Sequence, residues 1–160
     1  MNKLDKVIIP LLFVVSVLIG IIGYKVNTAH FNEPAVVVVE EVEQTLYERV
    51  GGAPAISAAV DNFYVKVMAD PLVNHFFEDV SMRRQHKRQK QFLTMALGGP
   101  NNYEGRSMKK VHKGMNIEVK HFVAIAGHLT NTLLELDVHP LLVAEIIAVV
   151  ATTQGDIVGQ

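Results

Sequence analysis

A break near the middle of the chain, at Gly98-Gly99-Pro100, is the feature that most constrains the fold. Glycine accepts the left-handed conformation at the end of a helix, and proline cannot continue one, so a long helix must stop here. A loop follows, and the next residues, up to Met115, have room for only a short helical turn carrying His112. A histidine on such a weakly supported turn suggests a side chain whose position is fixed by the group to which it binds. We therefore interpret His112 as a candidate ligand, and the working hypothesis is that it binds a haem iron.

Apolar residues at helical spacing predict longer helices on both sides of this break. They cover residues 55–69, 82–97, 117–136 and 139–158. In the first of these helices the predicted apolar positions are 56, 59, 60, 63, 64, 67 and 68. A single helical turn or two is predicted at 45–50, ended by Gly51-Gly52, with Pro54 as the first position of the next helix. No segment of this region shows the alternating pattern of a β-strand. The sequence therefore predicts one all-α domain over residues 44–160.

An apolar run of 17 residues, from Val7 to Gly23, lies near the N-terminus. At about 1.5 Å per residue such a run has the length of a short membrane helix. A buried core helix is the alternative, but core helices are rarely apolar on every face. A cleaved signal peptide needs two small residues at its cleavage site, and Asn27-Thr28-Ala29 has asparagine at one of them. We therefore predict an uncleaved anchor or signal over 1–25.

Lysines on the two sides of the run predict how the anchor is oriented. Lys3 and Lys6 precede it and Lys25 follows it. By the positive-inside rule the N-terminus then lies in the cytoplasm. The prediction is a single-pass membrane protein with a linker over 26–43 and a domain on the periplasmic or extracytoplasmic side.

The composition excludes several classes of site. With 15 basic and 16 acidic residues the net charge is −1, so no overall field attracts nucleic acid, and we predict no nucleic-acid partner. The absence of cysteine excludes disulfides, thiolate zinc sites, iron–sulfur clusters and the C-x-x-C-H attachment of c-type haem. Any haem in this chain is therefore expected to be non-covalent, unless it is held by an unusual linkage that the sequence does not show.

The predicted helix 82–97 carries two glutamines in line with an apolar stripe. Gln85, Gln89, Phe92 and Ala96 fall on one face. Burying an amide without partners costs about 1–3 kcal/mol, so the glutamines either lie at an edge or have a polar group against them. A solvated basic face is the alternative, since much of the remaining surface is positive. Its basic residues are Arg83, Arg84, Lys87, Arg88 and Lys90.

Spacing alone does not decide among the seven histidines. No pair has the H-E-x-x-H spacing of a metal site. His121 and His128 flank the apolar stripe of helix 117–136 and are expected at the surface or an edge. His86 is one step past Gln85, which turns it off the glutamine face. His112 leads only because of the short segment on which it lies.

Residues from about Thr45 to Gln160 resemble the truncated haemoglobins of group I, over essentially the whole domain. The motifs that carry the resemblance are Leu46-Tyr47-Glu48-Arg49-Val50-Gly51-Gly52, Phe63-Tyr64, Ala69-Asp70-Pro71, His75-Phe76-Phe77, Gln85 and Gln89 with Lys90 and Phe92-Leu93, Gly98-Gly99-Pro100, Asn102-Tyr103 with Gly105-Arg106, and Met108-Lys109-Lys110-Val111-His112-Lys113-Gly114-Met115. The resemblance implies an all-α, two-over-two globin fold around haem b, here preceded by one N-terminal transmembrane helix. The anchor departs from the family's common soluble form.

The resemblance also implies a role for individual residues. His112 corresponds to the proximal iron ligand, and Tyr64, Gln85 and Gln89 to the distal groups that stabilise a bound gas. The residues expected against the cofactor are His112, Phe77, Phe92, Tyr64, Gln89 and Met115. Some family members place a second iron-ligating histidine three residues after the first glutamine. Arg88 stands there in this chain, which favours a vacant or solvent-occupied sixth position. Arg88 could instead reach a haem propionate, as could many of the other basic residues.

The function implied by the resemblance is binding of O₂, and of NO or CO, at the iron. Hydrogen-bond donors beside a bound O₂ slow its release, which suits chemistry better than delivery. The expectation is therefore conversion of NO to nitrate, with an external electron donor or reductase. The alternatives are O₂ binding, storage or delivery, and redox or ligand sensing at the membrane without turnover. The remaining hypothesis is a structural one, in which the chain is a helical, membrane-anchored module without haem.

Overall fold

The computed structural model describes residues 43–160, which form six α-helices and two short 3₁₀ turns. The helices are α1 (Leu46–Arg49), α2 (Gly52–Ala69), α3 (Met82–Ala96), α4 (Met108–His112), α5 (Val119–Glu135) and α6 (Pro140–Ala151). The 3₁₀ turns cover Asn74–Phe77 and Gln154–Asp156. These residues contain no strand, so the predicted all-α class is confirmed for the part of the chain described.

Helix α2 forms the centre of the core, where it packs against α3 and α5. Six of its seven predicted apolar positions are buried, whereas Met68 is exposed. The buried positions are Ile56, Ala59, Val60, Phe63, Tyr64 and Val67. The helix begins at Gly52, so the prediction that Pro54 is its first residue is wrong. Pro54 still falls in the first turn, where the backbone N–H has no partner within the helix.

The corner after α3 needs both of its glycines, for different reasons. Gly98 has a φ of +86°, a left-handed conformation that is costly for other residues. A Cβ on Gly99 would lie 2.6 Å from Cγ of Tyr47, so only glycine lets α1 approach. The backbone N–H of Tyr47 donates to the Leu97 carbonyl at 2.9 Å, which fixes this approach. The chain can then leave α3 and reach α4.

The last helix ends earlier than predicted. It stops at Ala151, and a 3₁₀ turn follows, so the prediction of one helix to residue 158 is wrong. The hydroxyl groups of Thr152 and Thr153 donate to the carbonyls three residues before them, each at 2.7 Å. Threonine side chains that bind nearby backbone carbonyls compete with regular helix, which accounts for the change.

The C-terminal residues 159–160, which follow the 3₁₀ turn Gln154–Asp156, pair with the segment 114–117 that follows α4. Gly159 donates its N–H to the Ile117 carbonyl, and Gly114 donates to the Gln160 carbonyl, both at 3.0 Å. A five-residue helix makes few hydrogen bonds of its own. Because the C-terminal residues pair with its continuation, α4 has a fixed place in the fold.

The predicted membrane anchor, 1–25, and almost all of the predicted linker, 26–43, lie outside the residues that the structure describes. Within residues 43–160, none of the helices combines the length and the apolar character needed to cross a membrane.

Candidate functional site

A cavity of about 540 Å³ lies between α2 and α3 on one side and α4 and α5 on the other. Its volume falls within the range of about 300–1,000 Å³ that is typical of ligand and cofactor sites. Apolar side chains make up most of the lining, with a few polar groups among them. All the site residues predicted from the sequence line it, namely Tyr64, Phe77, Gln85, Gln89, Phe92, His112 and Met115.

His112 supplies an imidazole nitrogen on the α4 side of the cavity. Its Nδ1 lies 2.8 Å from the Met108 carbonyl oxygen. Because a carbonyl only accepts, Nδ1 must carry the hydrogen, and Nε2 of the neutral ring keeps its lone pair. Histidines that bind metals commonly donate their other N–H in this way, which orients the ring and makes it a better ligand. His112 can therefore ligate iron through Nε2.

His121 is a second histidine in the lining, and the sequence pattern did not single it out. It is only 8% exposed, so the expectation of a surface or edge position is wrong. Its Nδ1 accepts the backbone N–H of Glu118 at 3.0 Å, and its ring packs on Phe76 at 5.1 Å between ring centres. Its side chain thus completes the capping box at the start of α5, in which Glu118 is the N-cap residue. The three-residue spacing from Glu118, typical of a capping box, is the signal that could have revealed this role.

Tyr64 supplies a hydroxyl group on the α2 side. The residue is 3% exposed, and its ring makes edge contacts with Phe63 and Phe77 at 5.0 and 5.7 Å between ring centres. Gln85 Nε2 donates to the hydroxyl oxygen at 2.9 Å, which leaves the hydroxyl hydrogen for another acceptor. Burial raises the pKa of Tyr64 to about 12, against the opposite effect of the Gln85 hydrogen bond. The phenol therefore stays protonated near neutral pH and remains a donor.

The two glutamines are one turn apart on α3 and both line the cavity. Both are partly buried rather than fully solvated. For Gln85 the structure shows the polar partner that the sequence pattern had left open, since its amide donates to Tyr64. The sequence of α3 could not reveal Tyr64 as the partner, because Tyr64 lies on α2.

Arg88 adds a positive charge to the lining, at the position where some family members have histidine. Its Nη1 is buried without a hydrogen-bond partner and lies 3.6 Å from Oε2 of Glu104. A guanidinium nitrogen in this state fits an anionic group such as a haem propionate. Together with a mostly apolar cavity and one available imidazole, these residues fit a haem.

Residues 45–158 match the family of bacterial-like globins. A group 1 truncated hemoglobin from Tetrahymena pyriformis is 48% identical over 117 residues, which cover 73% of this chain and 97% of the relative. The crystal structure of the Tetrahymena pyriformis protein in its Fe(III) form matches with a TM-score of 0.72 and 48% identity, covering 73% of this chain and all of the other.

A more distant solved structure is a 2/2 hemoglobin from Synechococcus sp. PCC 7002, in the cyanomet state and with covalently attached heme. It matches with a TM-score of 0.68 and 40% identity, over 73% of this chain and 100% of that chain. The family match spans nearly all the residues described, and the relatives match along almost their whole length. The chain therefore belongs to the bacterial-like globins and is a group 1 truncated haemoglobin with the all-α, two-over-two fold.

Proposed function

We propose that this haemoglobin holds a non-covalent haem b through His112 and converts nitric oxide to nitrate. Group 1 truncated haemoglobins bind haem and gases, so binding of haem and of O₂ follows from the family. When bound, the haem supplies the iron at which O₂, NO or CO binds. It also supplies the one electron that the formation of nitrate from NO and O₂ requires. An external donor or reductase must then replace that electron. The absence of cysteine from the chain excludes the thioether attachment of a c-type haem, and this supports a non-covalent haem b.

The proposal rests chiefly on the hydrogen bond from Gln85 to Tyr64. Because the hydroxyl oxygen accepts from Gln85 at 2.9 Å, its own hydrogen can point to a gas in the cavity. Gln89 offers a second amide in the same lining. A hydrogen bond to a ligand with partial negative charge contributes about 0.5–1.5 kcal/mol, and more where water is excluded. These donors retain O₂, and a long-lived O₂ complex can meet NO before it dissociates.

The Tetrahymena pyriformis relative supports the same three residues. Solved structures of that protein include substitutions at one tyrosine and two glutamines. Those positions are spaced along its chain as Tyr64, Gln85 and Gln89 are spaced along this one. We propose that these three residues stabilise the bound gas, and that Phe77, Phe92 and Met115 contact the cofactor, since all of them line the cavity.

Nitrate formation separates this function from O₂ binding, storage, delivery or sensing. We expect the ferrous full-length protein, equilibrated with O₂ and mixed with NO, to yield one nitrate per haem as the iron becomes ferric. The reason is that retained O₂ combines with NO inside the cavity. Stopped-flow absorbance and ion chromatography measure the two products. Oxidation without nitrate, or displacement of O₂ by NO, would instead favour simple gas binding or sensing.

We further propose that residues 7–23 anchor the chain in a membrane, ahead of the linker 26–43 and the haem domain 44–160. The support is the apolar run and the two lysines before it. Alkaline phosphatase fused after residue 44 is expected to be active, and green fluorescent protein at the same point dark, because the domain would lie outside the cytoplasm. The reverse pattern would contradict the orientation, and recovery of either fusion in the soluble fraction would contradict the anchor.

A further inference from the structure

His86 stacks on the ring of Tyr64 without lining the haem cavity. The two ring centres are 4.6 Å apart and the planes meet at 19°. On its other side His86 borders an open groove on α3, together with Lys87 and Lys90, and its side chain is 30% exposed. The imidazole therefore contacts both solvent and a buried phenol that faces the gas.

Asp61 holds the imidazole in this position. Its Oδ1 lies 2.9 Å from Nδ1 of His86, and Lys90 Nζ shares the carboxylate at 2.9 Å from the same oxygen. The hydrogen bonds from Lys90 and then from His86 lower the pKa of Asp61, so the carboxylate is an acceptor and Nδ1 must carry hydrogen. Asp61 and Tyr64 are three residues apart on α2, which places both on the side that faces His86.

We propose that His86, oriented by Asp61, is a positioning residue for Tyr64 and makes the Tyr64 hydrogen bond to a bound gas depend on pH. The inference rests on the proposed function, in which Tyr64 is the donor. A protonated imidazole over the phenol is attracted to the electron-rich ring face. The charged imidazole draws electron density from the phenol, so the Tyr64 hydroxyl becomes a stronger hydrogen-bond donor. Gas release is therefore slower when His86 is charged than when it is neutral.

The other charged groups around His86 are Asp61 on α2 and Arg83, Lys87 and Lys90 on α3, with Glu104 beyond them at 3.5 Å from Lys87. Histidine is the side-chain type whose ordinary pKa lies between about 5 and 8. Arginine, lysine and carboxylate side chains ordinarily keep their charge across that range. A change in gas release that disappears in the His86 variants therefore separates this imidazole from its charged neighbours and from His121, which lines the haem cavity.

The test is the O₂ dissociation rate of the ferrous, haem-loaded full chain between about pH 5.5 and pH 8. We expect the wild-type rate to rise about threefold with pH, which corresponds to a change of about 0.65 kcal/mol in the Tyr64 hydrogen bond, less than the net contribution of one typical hydrogen bond. His86→Phe keeps the stack and loses the charge, so its rate should be independent of pH and close to the wild-type rate at high pH. His86→Gln, which can still donate to Asp61, should also remove the pH dependence. His128→Gln, which loses an imidazole bonded to Asp70 instead, should keep the wild-type profile.

A Tyr64→Phe background tests whether His86 acts through the hydroxyl. There, His86→Phe should leave the O₂ dissociation rate unchanged. A wild-type pH profile in both His86 variants would overturn the inference, and so would an equal effect of His86→Phe with and without the Tyr64 hydroxyl. Failure of the proposed NO chemistry is a separate result, because it appears in the nitrate yield and leaves this pH profile intact.

Discussion

Replacing His112 by Ala is expected to weaken haem binding by more than about 100-fold, since losing even a residue that only supports a metal ligand typically costs 10–100-fold. The imidazole is held by the Met108 carbonyl with its other nitrogen available, and alanine offers no ligand in its place. The loss should be visible as a weak or absent Soret band in the purified protein. Titration of the apoprotein with haem then measures the difference in affinity.

His121→Asn is the matched control, because His121 lines the same cavity. Asparagine can still accept the backbone N–H of Glu118 and so keep this half of the capping box of α5, and this variant should therefore fold and keep its haem. An unchanged Soret band in His112→Ala would contradict the assignment of the iron ligand. Loss of the band in His121→Asn with retention in His112→Ala would transfer the assignment to His121.

Tyr64→Phe is expected to raise the O₂ dissociation rate about tenfold, which corresponds to about 1.4 kcal/mol for one hydrogen bond in a dry cavity. The substitution keeps the ring between Phe63 and Phe77 and removes only the hydroxyl that Gln85 orients. The rate is measured by mixing the O₂ form with CO in a stopped-flow instrument. Phenylalanine preserves a ring of nearly the same shape, so packing should change little.

Tyr103→Phe provides the control for loss of a hydroxyl from the lining. Tyr103 also borders the cavity, but its hydroxyl donates to the Arg106 carbonyl at 2.8 Å. Its single hydrogen is therefore engaged, and the O₂ dissociation rate should stay at the wild-type value. An unchanged rate in Tyr64→Phe, or an equal rise in both variants, would contradict the role given to Tyr64.

Helical periodicity predicted the fold well where burial follows from local spacing. The stripe along α2 is an example, since six of its seven predicted positions are buried. The end of α6 was not predicted, because the outcome depends on hydroxyl groups of Thr152 and Thr153 that compete for backbone carbonyls. Helical periodicity indicates which face of a helix is apolar, but it carries no information about hydroxyl groups that compete for backbone carbonyls.

The candidate site was less accessible to sequence reasoning, because its parts come from separate helices. The positions of Gln85 and Gln89 in an apolar stripe left an edge position, a polar partner and a solvated face open. The partner of Gln85 is Tyr64, which lies on α2 and meets it only through packing. The spacing of the histidines could not rank His112 first without the family resemblance. The contacts of His86 with Tyr64 and Asp61 likewise depend on how α2 meets α3.

Isotope labelling of the O₂ gives the most direct measurement of the proposed reaction. The ferrous, haem-loaded protein is equilibrated with ¹⁸O₂, mixed with unlabelled NO in a single turnover, and the products are analysed by mass spectrometry. If the protein combines the two gases in its cavity, nitrate should carry two labelled oxygen atoms and form in an amount equal to the haem. Nitrate without label, or nitrite or unreacted NO in its place, would contradict the conversion of nitric oxide to nitrate.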